Sequence, residues 1–234
     1  MSVATEPSVR ACLPLSPTPR TTLNRRRDRA SADRQDLYDV LDAAPICHFG
    51  ILVDGAPLVL PTAFGFDVDG PDEGGTLYLH GSVASLSLLA APERPICVTF
   101  TVLDGFVLAR SAFHHSMNYR SAVVMGSPRV VDDSAEKVRA LTLVVDHVVP
   151  GRMATLRAHT RKELAATVVL ALPLAEASVK IRSGDPIDDE ADLADGTWAG
   201  VIPIRLVAAD AVTAADSVRP EPPPDVLARV AALR

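Results

Sequence analysis

Residues 95–112 read Pro95-Ile96-Cys97-Val98-Thr99-Phe100-Thr101-Val102-Leu103-Asp104-Gly105-Phe106-Val107-Leu108-Ala109-Arg110-Ser111-Ala112. β-branched and aromatic residues crowd both sides of one Asp-Gly pair, the short-range signature of two antiparallel strands joined by a tight turn. The spacing predicts strands at 95–103 and 105–112 with Asp104-Gly105 as their hairpin. The same punctuation recurs outward from there. Apolar runs at 45–53, 57–61, 75–80, 119–125, 166–173, 177–182 and 200–207 are broken up by Asp54-Gly55, Asp69-Gly70 and Gly74-Gly75, among other turns. Many short strands with few connecting helices make a mainly β protein: a mostly antiparallel sheet closed into a small β-barrel with peripheral helices.

Helices interrupt this pattern at defined places. Leu37, Val40 and Leu41 share one face of a helix at 34–43, with Asp33 in position to cap it. A short apolar helix is expected at 83–91. Asp133 and Glu136 form a capping arrangement ahead of Val138, Leu141, Val145 and Val148, which predicts a helix at 134–148. Thr160 and Glu163 repeat it for a helix at about 161–167, and a terminal helix is expected at 225–234 after the proline run at 220–224.

The 234 residues are 48% hydrophobic and 22% charged, enough to bury a core without disulfide or metal staples. No apolar run approaches the ~18 residues of a spanning helix. There is no Walker loop and no Gly-x-Gly-x-x-Gly after a strand, which argues against a nucleotide fold. The division expected is a flexible Arg/Pro-rich segment at 1–33, a single domain at 34–210 and a C-terminal tail at 211–234. The net charge of −6 is uneven: residues 1–35 carry seven Arg against Glu6, Asp28 and Asp33, a balance of +4 that leaves −10 on the remainder. An acidic body disfavours nucleic acid and anionic membranes as partners. The cluster Arg25, Arg26, Arg27 and Arg29 reads as a solvated tail.

Cys12, Cys47 and Cys97 have no metal or redox spacing, and the last two lie in apolar runs that suit core thiols. The N-terminus lacks the apolar centre of a signal peptide, so a cytoplasmic protein is expected. Six histidines (48, 80, 114, 115, 147 and 159) are scarce, and adjacent His114 and His115 on an extended segment would point to opposite faces. No metal site is expected. There is no Gly-x-Ser-x-Gly elbow, and the acidic run Asp188-Asp189-Glu190 reads as a solvated loop.

Two segments gather polar chemistry. Thr76-Leu77-Tyr78-Leu79-His80-Gly81-Ser82-Val83-Ala84-Ser85 ends a strand at His80 and enters a helix through a Gly-Ser turn. Its amides and the Ser82 and Ser85 hydroxyls suit a phosphate, while a plain N-cap explains them equally. Residues 109–126 bring His114, His115, Arg110, Arg120, Asn118 and Tyr119 together between two apolar runs, as a site or as a polar edge strand.

These segments, together with Lys180-Ile181-Arg182-Ser183-Gly184 and Trp198-Ala199-Gly200-Val201-Ile202-Pro203, resemble the pyridoxamine 5′-phosphate oxidase-like, FMN-binding split-barrel family, in its nitroimidazole-reductase-like branch. The resemblance spans roughly 20–208. It implies a six-stranded antiparallel split barrel and a homodimer that holds FMN at its interface. Carried over by position, Pro61 and Thr62 end the strand lining the flavin ring. His80, Gly81, Ser82 and Ser85 meet its phosphate or ribityl chain, with His80 as the catalytic proton donor. Asn118, Tyr119, Arg120 and Ser121 approach the cofactor, Arg120 facing its pyrimidine edge, and Lys180, Arg182 and Trp198 lie near the site. Leu86 stands where many relatives place a phosphate-pairing cation, so Arg110, Arg120, Lys180 or Arg182 would have to compensate.

The function implied is an FMN-dependent oxidoreductase acting on a small molecule, with an electron donor such as a nicotinamide. Two alternatives remain open: a split-barrel enzyme that binds haem or a deazaflavin, with His80 or His114 as the axial ligand to haem, or a non-catalytic flavin-binding sensor or carrier.

Overall fold

The computed structural model describes residues 14–15, 18–92, 94–194 and 196–234. Its strands are β1 (Ala30–Ser31), β2 (Cys47–Val53), β3 (Ala56–Thr62), β4 (Phe64–Asp67), β5 (Thr76–Ser82), β6 (Ile96–Leu108), β7 (Ser116–Gly126), β8 (Arg129–Val130), β9 (Thr167–Pro173), β10 (Ala177–Arg182) and β11 (Gly200–Pro203). Its α-helices are α1 (Arg34–Ala43), α2 (Leu86–Ala90), α3 (Ser134–Val148), α4 (Arg161–Ala166) and α5 (Pro224–Ala232). A seven-stranded sheet runs β1-β10-β7-β6-β2-β3, with β11 also on β6, and a four-stranded sheet runs β4-β5-β9-β8. Every pairing is antiparallel, as the alternating, turn-punctuated sequence predicts.

The main core lies between the two sheets. Phe49, Val98, Phe100 and Val124 come from the larger one, and Phe64, Leu77, Leu79, Leu170 and Leu172 from the smaller. Leu37, Tyr38, Val40 and Leu41 of α1 complete it. The smaller sheet turns its other face to α3, where Tyr78, Val169 and Ala171 meet Ala140 and Leu141. α3 passes so close that a Cβ on Gly65 would lie 2.7 Å from the Val144 nitrogen.

The caps act as expected. Asp33 accepts from the Gln35 amide, Asp133 from the Glu136 amide, and Thr160 with Glu163 completes a reciprocal capping box. Asp54 and Gly55 turn β2 into β3 with φ of 50° and 79°, a tight hairpin geometry.

The Asp104-Gly105 hairpin is corrected. β6 continues through both residues as one strand of 13 residues, and the register to β7 slips between Leu103 and Gly105 as a bulge. Glycine is needed there because β11 runs close by: a Cβ on Gly105 would lie 3.0 Å from the Ile202 carbonyl oxygen. The chain reverses later, through a 3-10 turn at Ala112–His114. His114 and His115 are therefore not on an extended strand, as the sequence suggested.

Residues 1–13, with Cys12, lie outside the described residues. From Leu15 onward the segment expected to be a free tail is attached to the sheet. Leu15 is buried and its amide donates to the Ala32 carbonyl. Thr18 and Arg20 both donate to Glu176, at 2.6 Å and 2.5 Å, and β1 pairs with β10. Among the described residues, no helix is long and apolar enough to cross a membrane.

Candidate functional site

His80 sits near the end of β5, opposite Val169 of β9. Strand alternation puts it on the same face as Tyr78, the face that α3 covers, while Leu79 and Gly81 face the core between the sheets. Its Nδ1 is buried and has no hydrogen-bond partner. Burial lowers the pKa of the ring, which keeps the imidazole neutral near pH 7. A Cβ on Gly81 would meet Leu88 Cδ1 at 2.5 Å, a contact that the leucine end would have to turn aside to relieve. β5 runs on to Ser82, whose hydroxyl accepts from the Ala84 amide, and the helix starts only at Leu86. Ser85 makes no side-chain cap bond; its hydroxyl shares a 3.1 Å hydrogen bond with that of Ser87. Leu86 is exposed.

A second group forms across β7 and β10. Their register sets Tyr119 opposite Arg182 and Ser121 opposite Lys180. The buried Arg182 guanidinium donates to Asn118 Oδ1, to the Gly184 carbonyl at 2.8 Å and to the Asp185 carbonyl at 2.9 Å. Asn118 also donates to the Gly184 carbonyl, so three elements are tied at this point. Burial, then the like charge of Arg29, lowers the Arg182 pKa. Ser121 donates to the Lys180 carbonyl, and the Lys180 ammonium has no partner among the described residues.

Arg120 is placed apart from Tyr119 and Ser121. Side chains alternate along β7, which sends it to the other face. There it forms a two-point ion pair with Asp104, at 2.9 Å and 3.1 Å. Pro61 and Thr62 end the edge strand β3 opposite His48 and Cys47. Trp198 is exposed beside Gly200, where a Cβ would lie 2.8 Å from its ring. No hydrogen bond or ion pair among the described residues joins the His80 group to the Lys180 group.

Sequence reasoning missed the acidic partners. Asp104 carries Arg120, and Asp188 holds Arg110 by both its amide and its guanidinium, each at 2.8 Å. His114 Nε2 is 3.3 Å from Asp189, and Asp192 joins that pair. His115 donates from Nδ1 to the Ser111 carbonyl at 2.9 Å, which leaves its Nε2 unprotonated when the ring is neutral. The signal for Asp188 was only its place in an acidic run, which on its own reads as solvated loop.

Cys47 is buried and burial raises its pKa to about 12, while Cys97 is shifted up less. Both thiols are unsuited to nucleophilic chemistry.

Residues 33–181 match a family model described as pyridoxamine 5′-phosphate oxidase. Among solved structures, the chain is similar to the flavocytochrome Anf3 from Azotobacter vinelandii, with 37% identity and a TM-score of 0.83, covering 94% of this chain and 99% of that one. It is similar to the FAD and haem binding protein from Mycobacterium smegmatis, with 40% identity and a TM-score of 0.78, covering 86% of this chain and 97% of that one. A putative 5-nitroimidazole antibiotic resistance protein from Bacteroides thetaiotaomicron shares the fold at 24% identity and a TM-score of 0.52, covering 65% of this chain and 86% of that one. A search of curated proteins finds no match.

Proposed function

The chain belongs to the pyridoxamine 5′-phosphate oxidase-like family, with its split-barrel fold, and within it we propose a redox protein that binds a flavin and a haem and works as a homodimer. His80 carries the reading. A half-buried, neutral imidazole whose buried Nδ1 has no partner is in the donor state that iron takes, and the same state serves proton transfer beside a flavin. The relatives at 37% and 40% identity, a flavocytochrome and an FAD and haem binding protein, support both cofactors.

FAD is favoured over the FMN that the family resemblance implies. The turn at 82–87 offers hydroxyls but no cation to a terminal phosphate, and two of those hydroxyls hold each other. His80 lies on the smaller sheet and Lys180 on the larger, and a homodimer would let one site use both. Exposed Leu52, Val59, Leu86 and Leu89 supply apolar surface for such a contact.

When bound, the flavin exchanges electron pairs and the haem single electrons. The residues of this chain hold, orient and shield them. Asn118 and Arg182 lock the β7–β10 end, Tyr119 and Lys180 present a ring and a free ammonium beside it, and His80 offers its neutral imidazole. The substrate is a small molecule, reduced with electrons that a soluble donor such as a reduced nicotinamide supplies.

Absorption of the purified protein, followed by titration with FAD, FMN and haemin, tests the reading. We expect flavin bands with FAD bound more tightly than FMN, and a Soret band that His80→Ala abolishes while flavin is retained. Neither chromophore binding would overturn it, and flavin alone with His80→Ala silent would remove the haem.

A further inference from the structure

We propose that the basic turn at 25–29, together with Lys180 and Arg182, is a binding site for the phosphate groups of a dinucleotide. The register that pairs Ala30 with Lys180 and Ser31 with Val179 brings the preceding chain alongside the C-terminal end of β10. Strands lie about 4.8 Å apart, so residues far apart in sequence become neighbours here. Arg25, Arg26 and Arg27 are exposed, Arg29 and Lys180 are partly buried, and Arg182 is buried, so the cationic surface leads inward.

No side-chain hydrogen bond or ion pair joins Arg25, Arg26, Arg27, Arg29 or Lys180 to a described residue; the bonds they make are through their backbones. The hydrogen bonds of Arg182 all go to uncharged oxygens. The carboxylates nearest in sequence are Asp28 and Asp185, two against six cations. Arg29 already acts on Arg182 as a repelling charge. Other arginines in this acidic chain are relieved by carboxylates, as at Arg110–Asp188, Arg120–Asp104 and Arg129–Asp72. A cluster left uncompensated in a protein of net charge −6 is shaped for an anion from outside.

Guanidinium forks and an ammonium are donors of the kind that phosphate oxygens take. The cluster occupies one turn and two positions of a strand, and the chain beyond residue 35 carries −10, which repels a long polyanion. A pyrophosphate matches that extent. Tyr119, opposite Arg182 and partly exposed, offers a ring beside it for stacking. The proposed function enters only in naming the two sources of this chemistry: the pyrophosphate of FAD, or the phosphates of a reduced nicotinamide donor.

The test uses the full chain, the double variant Arg26→Gln/Arg27→Gln and, separately, Lys180→Gln. Affinities for FAD, FMN, NADPH and inorganic pyrophosphate are measured by calorimetry at low and moderate salt, with a thermal melt to check folding. We expect pyrophosphate and at least one dinucleotide to bind about tenfold more weakly to each variant, with FMN unchanged in Arg26→Gln/Arg27→Gln and the effect shrinking as salt rises. A loss for FAD alone assigns the site to the flavin, and a loss for NADPH alone to the donor. Variant-sensitive pyrophosphate binding in a chain that takes up no flavin would support the site and remove the proposed function. Unchanged pyrophosphate and dinucleotide affinities in both variants overturn the proposal, as does a short DNA strand that binds more tightly than either dinucleotide.

Discussion

Arg120 grips Asp104 across the bulge of β6, its Nε 3.1 Å from one carboxylate oxygen and a terminal nitrogen 2.9 Å from the other. The two residues flank the point where β6 slips its register against β7, so the pair holds together the strands that the slip would loosen. Each side chain is about a third exposed, at 35% and 36%, and solvent weakens the attraction accordingly. Asp104→Asn should therefore cost about 0.5–1 kcal/mol in urea unfolding. A loss above about 3 kcal/mol would mean the pair is far better shielded than its exposure implies.

Gly65 is where the smaller sheet and α3 touch. An alanine methyl there would sit 2.7 Å from the Val144 nitrogen and 2.8 Å from the Leu143 carbonyl carbon, both backbone atoms that cannot step aside. Gly65→Ala should destabilise the fold by about 2 kcal/mol or more, read as a lowered thermal midpoint. An unchanged midpoint would show that α3 slides at no cost.

Arg129 lies between Asp72 and Glu136, 2.9 Å and 2.5 Å away, and Glu136 also accepts from the Tyr78 hydroxyl at 3.1 Å. Both carboxylates are mostly buried. Removing the arginine leaves two like charges facing each other under α3. Arg129→Ala should cost about 2 kcal/mol, less than a fully buried pair because Arg129 is 39% exposed. Arg129→Lys should recover only part of this, since an ammonium cannot span both partners. Denaturant midpoints of the two variants provide the comparison.

His80 gives the cofactor-free protein a pH dependence. Its folded pKa lies below the ordinary 6.5 because burial disfavours the cation. The unfolded chain therefore binds the proton first as pH falls. Stability is complete above 6.5 and declines as the pH drops from there through the folded pKa. His80→Gln should flatten that part of the profile between pH 7 and 5 while leaving stability at pH 8 nearly unchanged. A profile identical to that of the parent chain would exclude His80 as the group responsible.

Thiol labelling provides an independent check on the core. Cys47 is buried and its pKa is pushed up to about 12, so it should resist maleimide at pH 7 in the folded protein and react only on unfolding. Rapid native labelling at Cys47, read by peptide mass, would show that the contact between the sheets opens.

Much of the architecture is local and so can be read from local chemistry. α1 covers the predicted 34–43 and α3 the predicted 134–148, because each carries its own cap and its own apolar stripe. Asp54-Gly55 makes its turn because both residues accept positive φ and nothing passes near enough to need the glycine for another reason. The Asp104-Gly105 pair looks the same in sequence but ends differently. The close passage of β11, which lies about a hundred residues later, gives Gly105 its purpose, and no window around residue 105 contains that information.

The sequence by itself determined most of the longer strands, the capped helices and the His80 and Tyr119 segments that mark the family, because short-range patterning and capping chemistry act within a few residues. Tertiary structure alone decided the charges. It matched Asp104 with Arg120 and Asp188 with Arg110, buried Arg182 against neutral oxygens, and set the arginines at 25–29 beside Lys180. A charge's partner depends on which strands pair and in which register, and that register follows from burying one common core rather than from any residue's neighbours in the chain.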